Sequence, residues 1–109
     1  MAHNDIPKNV RRLILRQIES VQQVEILALL RADPDRVWAA DEVSRRLHIN
    51  ATACAAWLQG FAAANLVDRI GDAYQHAARG PSVRAADDLV DCFARRRLAV
   101  IDAIYSKVS

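Results

Sequence analysis

At 109 residues the chain has the length of one domain with its own core and is too short for two. Its 52% hydrophobic and 26% charged residues match an ordinary globular protein and exclude a disordered chain. The net charge of +2, from 15 basic and 13 acidic residues, is too small to name an anionic partner unless the charges cluster.

Alanine supplies much of the apolar content and aromatic residues only 6%, which favours closely packed helices over a thick sheet core. Cys54 and Cys92 are far apart in sequence and no secretion signal accompanies them, so two reduced thiols are expected. No apolar run reaches the roughly 18 residues of a membrane span. No charged-then-apolar leader opens the chain, and a cytoplasmic protein without a membrane partner is expected.

In chain order, Met1 to Pro7 is a polar lead-in expected to be loosely held. From Lys8 onward Val10, Leu13, Ile14 and Ile18 form a helical stripe, with Lys8, Arg11, Arg12 and Arg16 on the opposite side. That basic cluster reads either as a solvated face or as a phosphate-contacting surface. Ser20 and Gln23 have capping-box spacing, so a second helix is expected from Val21. Whether it follows a break or continues a bent first helix is left open.

Val21, Val24, Ile26, Leu27, Ala28, Leu29 and Leu30 put apolar residues on nearly every face of this second helix, the pattern of a central post. Ala32-Asp33-Pro34-Asp35 ends it. Val37 and Trp38 suit a very short strand. A helix over Asp41 to Leu47 follows, with Val43 and Leu47 inward, Arg45 and Arg46 outward, and a poor N-cap at Ala39 and Ala40.

His48-Ile49 is the next turn, and Asn50 caps a helix running to about Ala64. Cys54, Trp57, Leu58 and Phe61 are placed on its inward face. Redox sensing through Cys54 would need this helix to open. Gly60, at mid-helix, costs about 1 kcal/mol relative to alanine and suggests a close neighbour. Asn65 is placed to end the helix in a left-handed conformation. Between Asn50 and Val67 there is no Lys, Arg, Asp or Glu.

Leu66 to Ile70 and Ala73 to Ala77 read as a hairpin around Gly71-Asp72, with Tyr74 and His76 on one face, either packed beneath it or lining a small cleft. Arg79-Gly80-Pro81-Ser82 interrupts the pattern. A last helix is predicted from about Ala85 to Tyr105, with Arg95, Arg96 and Arg97 paired to Asp87, Asp88 and Asp91 upstream. The resulting single domain, residues 1–109, comprises an N-terminal helix (8–19), a core (20–77) and a C-terminal helix (85–106). The fold class expected is mainly α.

The stretch Glu42 to Val67, with Leu47 and Ile49 flanking a turn, Cys54, Leu58 and Phe61 inward, and Asn65-Leu66-Val67 leading into a hairpin, resembles the helix-turn-helix of MarR-like winged-helix regulators. The likeness covers residues 21 to 77. The whole chain is also similar to small proteobacterial winged-helix proteins. The resemblance implies a three-helix core with a hairpin wing, a homodimer through terminal helices, and double-stranded DNA as partner. Carried over by position, Thr52, Ala53, Ala55, Ala56 and Gln59 would face the groove. Arg45, Arg46, Asn50 and the wing residue Arg69 would contact phosphates.

Only Thr52 and Gln59 of the groove-facing set can hydrogen-bond a base edge, so modest base specificity is expected. The alternative is a protein–protein interaction module in which the uncharged helix meets another protein. A ligand- or redox-gated sensor is a third reading, by analogy. His3, His48, His76 and the cysteines lack metal-ligand spacing. The sequence also lacks a phosphate-cradling glycine loop and a nucleophile elbow. Neither a metal, a cofactor nor an enzyme is expected.

Overall fold

The computed structural model describes residues 6–77 and 80–106. Within them the chain forms α1 (Lys8–Gln17), α2 (Val21–Ala32), β1 (Trp38–Ala39), α3 (Ala40–Leu47), α4 (Ala51–Ala63), β2 (Val67–Ile70), β3 (Ala73–His76), α5 (Pro81–Arg95) and α6 (Arg97–Ser106). It is a mainly helical fold carrying a small three-stranded antiparallel sheet.

The corner between α1 and α2 is a true break, held by one buried side chain. The Ser20 hydroxyl accepts from the Gln22 backbone N–H at 3.1 Å. Gln23 Oε1 accepts from the N–H groups of Glu19 (2.6 Å) and Ser20 (3.1 Å), and its Nε2 donates to the Gln17 carbonyl at 2.7 Å. Gln23 thereby satisfies three main-chain groups that the end of one helix and the start of the next leave unpaired. Of the lead-in residues described, Ile6 is buried in the core rather than loosely held.

α2 is the post around which the rest packs. Val24, Ile26, Leu27 and Leu30 are buried, and the helix touches α5, β3 and α3. Its last turn is tied to α5 by Arg31, which donates to Asp91 Oδ1 at 2.6 Å and to the Asp87 carbonyl at 3.1 Å. This hydrogen bond holds the Asp91 carboxyl below its ordinary value and raises the Arg31 guanidinium.

The sheet order is β1-β3-β2, with β3 in the middle. Trp38 pairs with Tyr74 and Ala39 with Ala73 on one side, and Val67 pairs with His76 through Ile70 with Ala73 on the other. The short strand therefore lies one residue later than the β-prone pair Val37-Trp38 suggests, and Val37 is exposed. Gly71 at the hairpin tip has φ 62°, a left-handed conformation that an L side chain resists. Tyr74 is buried and His76 half-buried, its Nε2 3.9 Å from Asp87.

The C-terminal helix differs from expectation at its start and in its middle, and ends at Ser106 as expected. Pro81 occupies its first turn and starts it earlier than Ala85, since a proline there sacrifices no hydrogen bond. The helix then breaks at Arg96, with φ −132° and ψ 53°. In an unbroken helix Arg96 and Arg97, three and four residues after Phe93, would continue the buried Leu89–Phe93 stripe into the core. Burying two guanidiniums is prohibitive, and the break leaves Arg95, Arg96 and Arg97 exposed. Arg97 lies over the Phe93 ring at 4.5 Å. The upstream carboxylates hold other partners first: Asp87 and Asp91 hold Arg31, Asp88 accepts from Asn9 at 2.7 Å, and of the three arginines Arg95 adds a through-space attraction to Asp91.

Gly60 has no crowded neighbour to explain it, because a Cβ added there meets nothing within 4 Å. Gly60→Ala is expected to raise stability by up to about 1 kcal/mol in a urea titration, through helix propensity alone.

Candidate nucleic-acid interface

The segment from α3 to β3 presents the surface that the sequence marks out. α3 begins without a side-chain cap at Ala39, yet the Glu42 carboxylate reaches back to accept from the Ala39 N–H at 2.9 Å. That backbone hydrogen bond holds the Glu42 carboxyl below its ordinary value, with help from Arg36. The turn after α3 is fixed from both sides. His48 takes the left-handed conformation at φ 57°, and the buried Ser44 hydroxyl donates to the Ile49 carbonyl at 2.9 Å.

Asn50 caps α4, its Oδ1 accepting from the Ala53 N–H at 3.0 Å. Asn65 closes the helix at φ 62°. Cys54, Leu58 and Phe61 are fully buried and fasten α4 to the core. Burial pushes the Cys54 and Cys92 thiols up, so both are held as poorly nucleophilic thiols.

The outward face of α4 consists of Thr52, Ala56, Gln59, Gly60 and Ala63, all exposed and all uncharged. Ala53 and Ala55 are half-buried at its margins, so of the five residues expected to face a groove only Thr52, Ala56 and Gln59 are fully exposed. Trp57 is half-buried rather than inward, and it lines a cleft of about 430 Å³ with Leu15, Arg16, Ala56 and Gly60. α1 therefore borders the outward face of α4. Sequence spacing gave no signal for this neighbour, since it depends on how two separate helices pack.

Arg45 and Arg46 are exposed on the last turn of α3. Among the described residues neither forms an ion pair. The Arg46 guanidinium lies 5.8 Å from the centre of the Trp38 ring, whose closer cation is Arg36 at 3.6 Å. Arg69, by contrast, is engaged at the hairpin tip. Its Nε donates to the Gly71 carbonyl at 3.0 Å, and Nη2 lies 3.9 Å from Asp72. With Asp68 exposed beside it, the hairpin carries two carboxylates against one guanidinium.

Compared with known proteins, the chain matches no family model, no curated protein and no solved structure. Among the described residues no helix is long and apolar enough to cross a membrane.

Proposed function

We propose that the chain is a winged-helix-like DNA-binding transcriptional regulator, anchored on phosphates and modest in base specificity. The observation that carries this reading is the composition of α4's outward face. Its exposed residues are small and uncharged, and the helix before it ends on two exposed arginines that form no ion pair among the described residues. Small side chains let a helix backbone approach a groove closely, while guanidiniums on the preceding helix meet the phosphate strand. The order helix, turn, helix, hairpin and the strand order β1-β3-β2 suit the same use.

The protein acts as a homodimer in this reading, through α6. On that helix Leu98 is 80% exposed and Tyr105 57% exposed, on the side away from buried Val100 and Ile104. Such residues are suited to an isologous contact between two copies.

The test is affinity for genomic duplex fragments from low to moderate salt, with and without the double change Arg45→Ala/Arg46→Ala. The native protein is expected to bind at low salt and weaken steeply as salt rises. The variant loses about 1.8 from the slope of log affinity against log salt, two phosphate contacts at about 0.9 each. Absence of binding by the native protein at low salt refutes the proposal.

A second reading, a protein–protein interaction module, has one observation in its favour. Half-buried Trp57 and 61%-exposed Leu15 line the cleft beside α4, where an apolar partner side chain would be desolvated.

A further inference from the structure

We infer that the second phosphate-binding element of this protein is α1, through Arg12 and Arg16, and that the hairpin contributes none. The inference rests on the DNA-binding reading and adds which surfaces the duplex backbone follows.

Two clefts are lined by α1. The first, described above, has Ala56 and Gly60 of α4 on one wall and Leu15 and Arg16 of α1 on the other. The second, about 450 Å³, lies between α1, the end of α4 at Ala64, and the start of α5 at Pro81 and Ser82. Arg16 and Gln17 line both, so the Arg16 guanidinium borders the outward face of α4 as well as the head of α5. Arg12 and Arg16 are exposed, and among the described residues neither has an ion-pair partner.

Their spacing of four residues places them as neighbours on one helix side, with Cβ atoms about 6 Å apart. Two forked cations in that arrangement can hold successive phosphates of one strand. Among the described residues no carboxylate lines the second cleft. The polar groups there are Asn9, Gln17 and Ser82, and Asn9 is itself spent on Asp88. Among the described residues Glu19 is the one acidic residue lining the first cleft. The other two cations of the helix are placed differently: Arg11 donates to the Ile6 carbonyl at 3.2 Å, and Lys8 lines neither cleft.

The hairpin has the opposite character. Arg69 is turned onto Gly71 and Asp72, and Asp68 and Asp72 leave the tip with excess negative charge. A polyanion laid along the hairpin meets repulsion, whereas one laid along α1 meets unneutralised guanidiniums.

The decisive experiment measures binding of a short duplex by fluorescence anisotropy across a salt series. Four proteins are compared: native, Arg12→Ala/Arg16→Ala, Arg12→Lys/Arg16→Lys and Arg69→Ala. The double alanine variant is expected to bind about tenfold more weakly at low salt and to lose about 1.8 from the salt slope. The lysine variant keeps the slope, and Arg69→Ala leaves affinity and slope unchanged or improves binding. Thermal melts of all four should coincide, because the changed residues are exposed. A native protein that binds while the double alanine variant keeps its slope overturns the inference, as does loss of slope in Arg69→Ala. A native protein that fails to bind refutes the DNA-binding reading itself, and the inference with it.

Discussion

Replacing Gln23 by leucine is expected to destabilise the protein by about 3 kcal/mol, a loss out of proportion to one surface-corner residue. Gln23 is only 3% exposed, its Oε1 accepts from Glu19 and Ser20, and its Nε2 donates to Gln17. Leucine fills similar space but leaves two N–H groups and one carbonyl without their partner. Each such group costs roughly 1–3 kcal/mol when water cannot replace the bond, and partial access of water at the corner brings the sum down. The melting temperature should fall by roughly 12–24 °C, at about 4–8 °C for each kcal/mol in a domain of this size. A loss below about 1 kcal/mol would mean that the corner relaxes to recruit solvent. The effect reaches function as well. Gln23 sets the angle at which α1 leaves α2, and so whether Arg16 stands beside α4.

The features legible in sequence are those decided within a few residues. Ser20 with Gln23, Asn50 and Asn65 each act on backbone no more than six positions away, and each stands where its chemistry suggests. The inward set Cys54, Leu58 and Phe61 was equally plain, since one helical face must meet the core. Features that depend on distant partners were not legible. Arg31 finds Asp87 and Asp91 on another helix. The same carboxylates looked, from spacing alone, like partners of the three arginines downstream. Trp57 looked like core, because nothing local says that α1 stops short of covering it. The break at Arg96 was readable in principle. Extending the Leu89–Phe93 stripe by one turn lands on two arginines, and a charged residue at an inward position signals that the helix does not continue.

The candidate interface divides the same way. Thr52, Ala56 and Gln59 follow from helical periodicity and are exposed, whereas Ala53 and Ala55 lie at the edge of the periodic face and are half covered. The absence of charge on α4 first suggests a helix unsuited to DNA. Placed beside Arg45, Arg46, Arg12 and Arg16, it becomes the neutral floor between two groups of cations. In the proposed reading α1 and α3 supply the charge for the phosphates, which leaves α4 free to approach closely. The net charge of +2 hides this clustering, because 13 acidic residues spread along the chain offset most of the 15 basic ones.

Charge placed at Ala56 should therefore act according to its sign. Ala56 is exposed at the middle of the outward face, flanked by Thr52 and Gln59, and lines the cleft shared with Arg16. Ala56→Glu is expected to weaken duplex binding at least about tenfold, or roughly 1.4 kcal/mol, by setting a carboxylate against the phosphates. Ala56→Lys is expected to strengthen it and add about 0.9 to the salt slope, one further phosphate neutralised. Neither change should move stability by more than about 0.5 kcal/mol, since the position is exposed and both residues are good helix formers. A helix that docks on another protein behaves otherwise. There either charge is buried without a partner, and both substitutions cost affinity for the same reason. Opposite effects of glutamate and lysine on duplex binding mark α4 as a DNA-facing helix, and parallel losses of a protein partner mark it as a protein-facing one. If neither binding responds to either charge, the interface is not on α4, and the arginines of α1 and α3 would have to be explained as solvated helix faces.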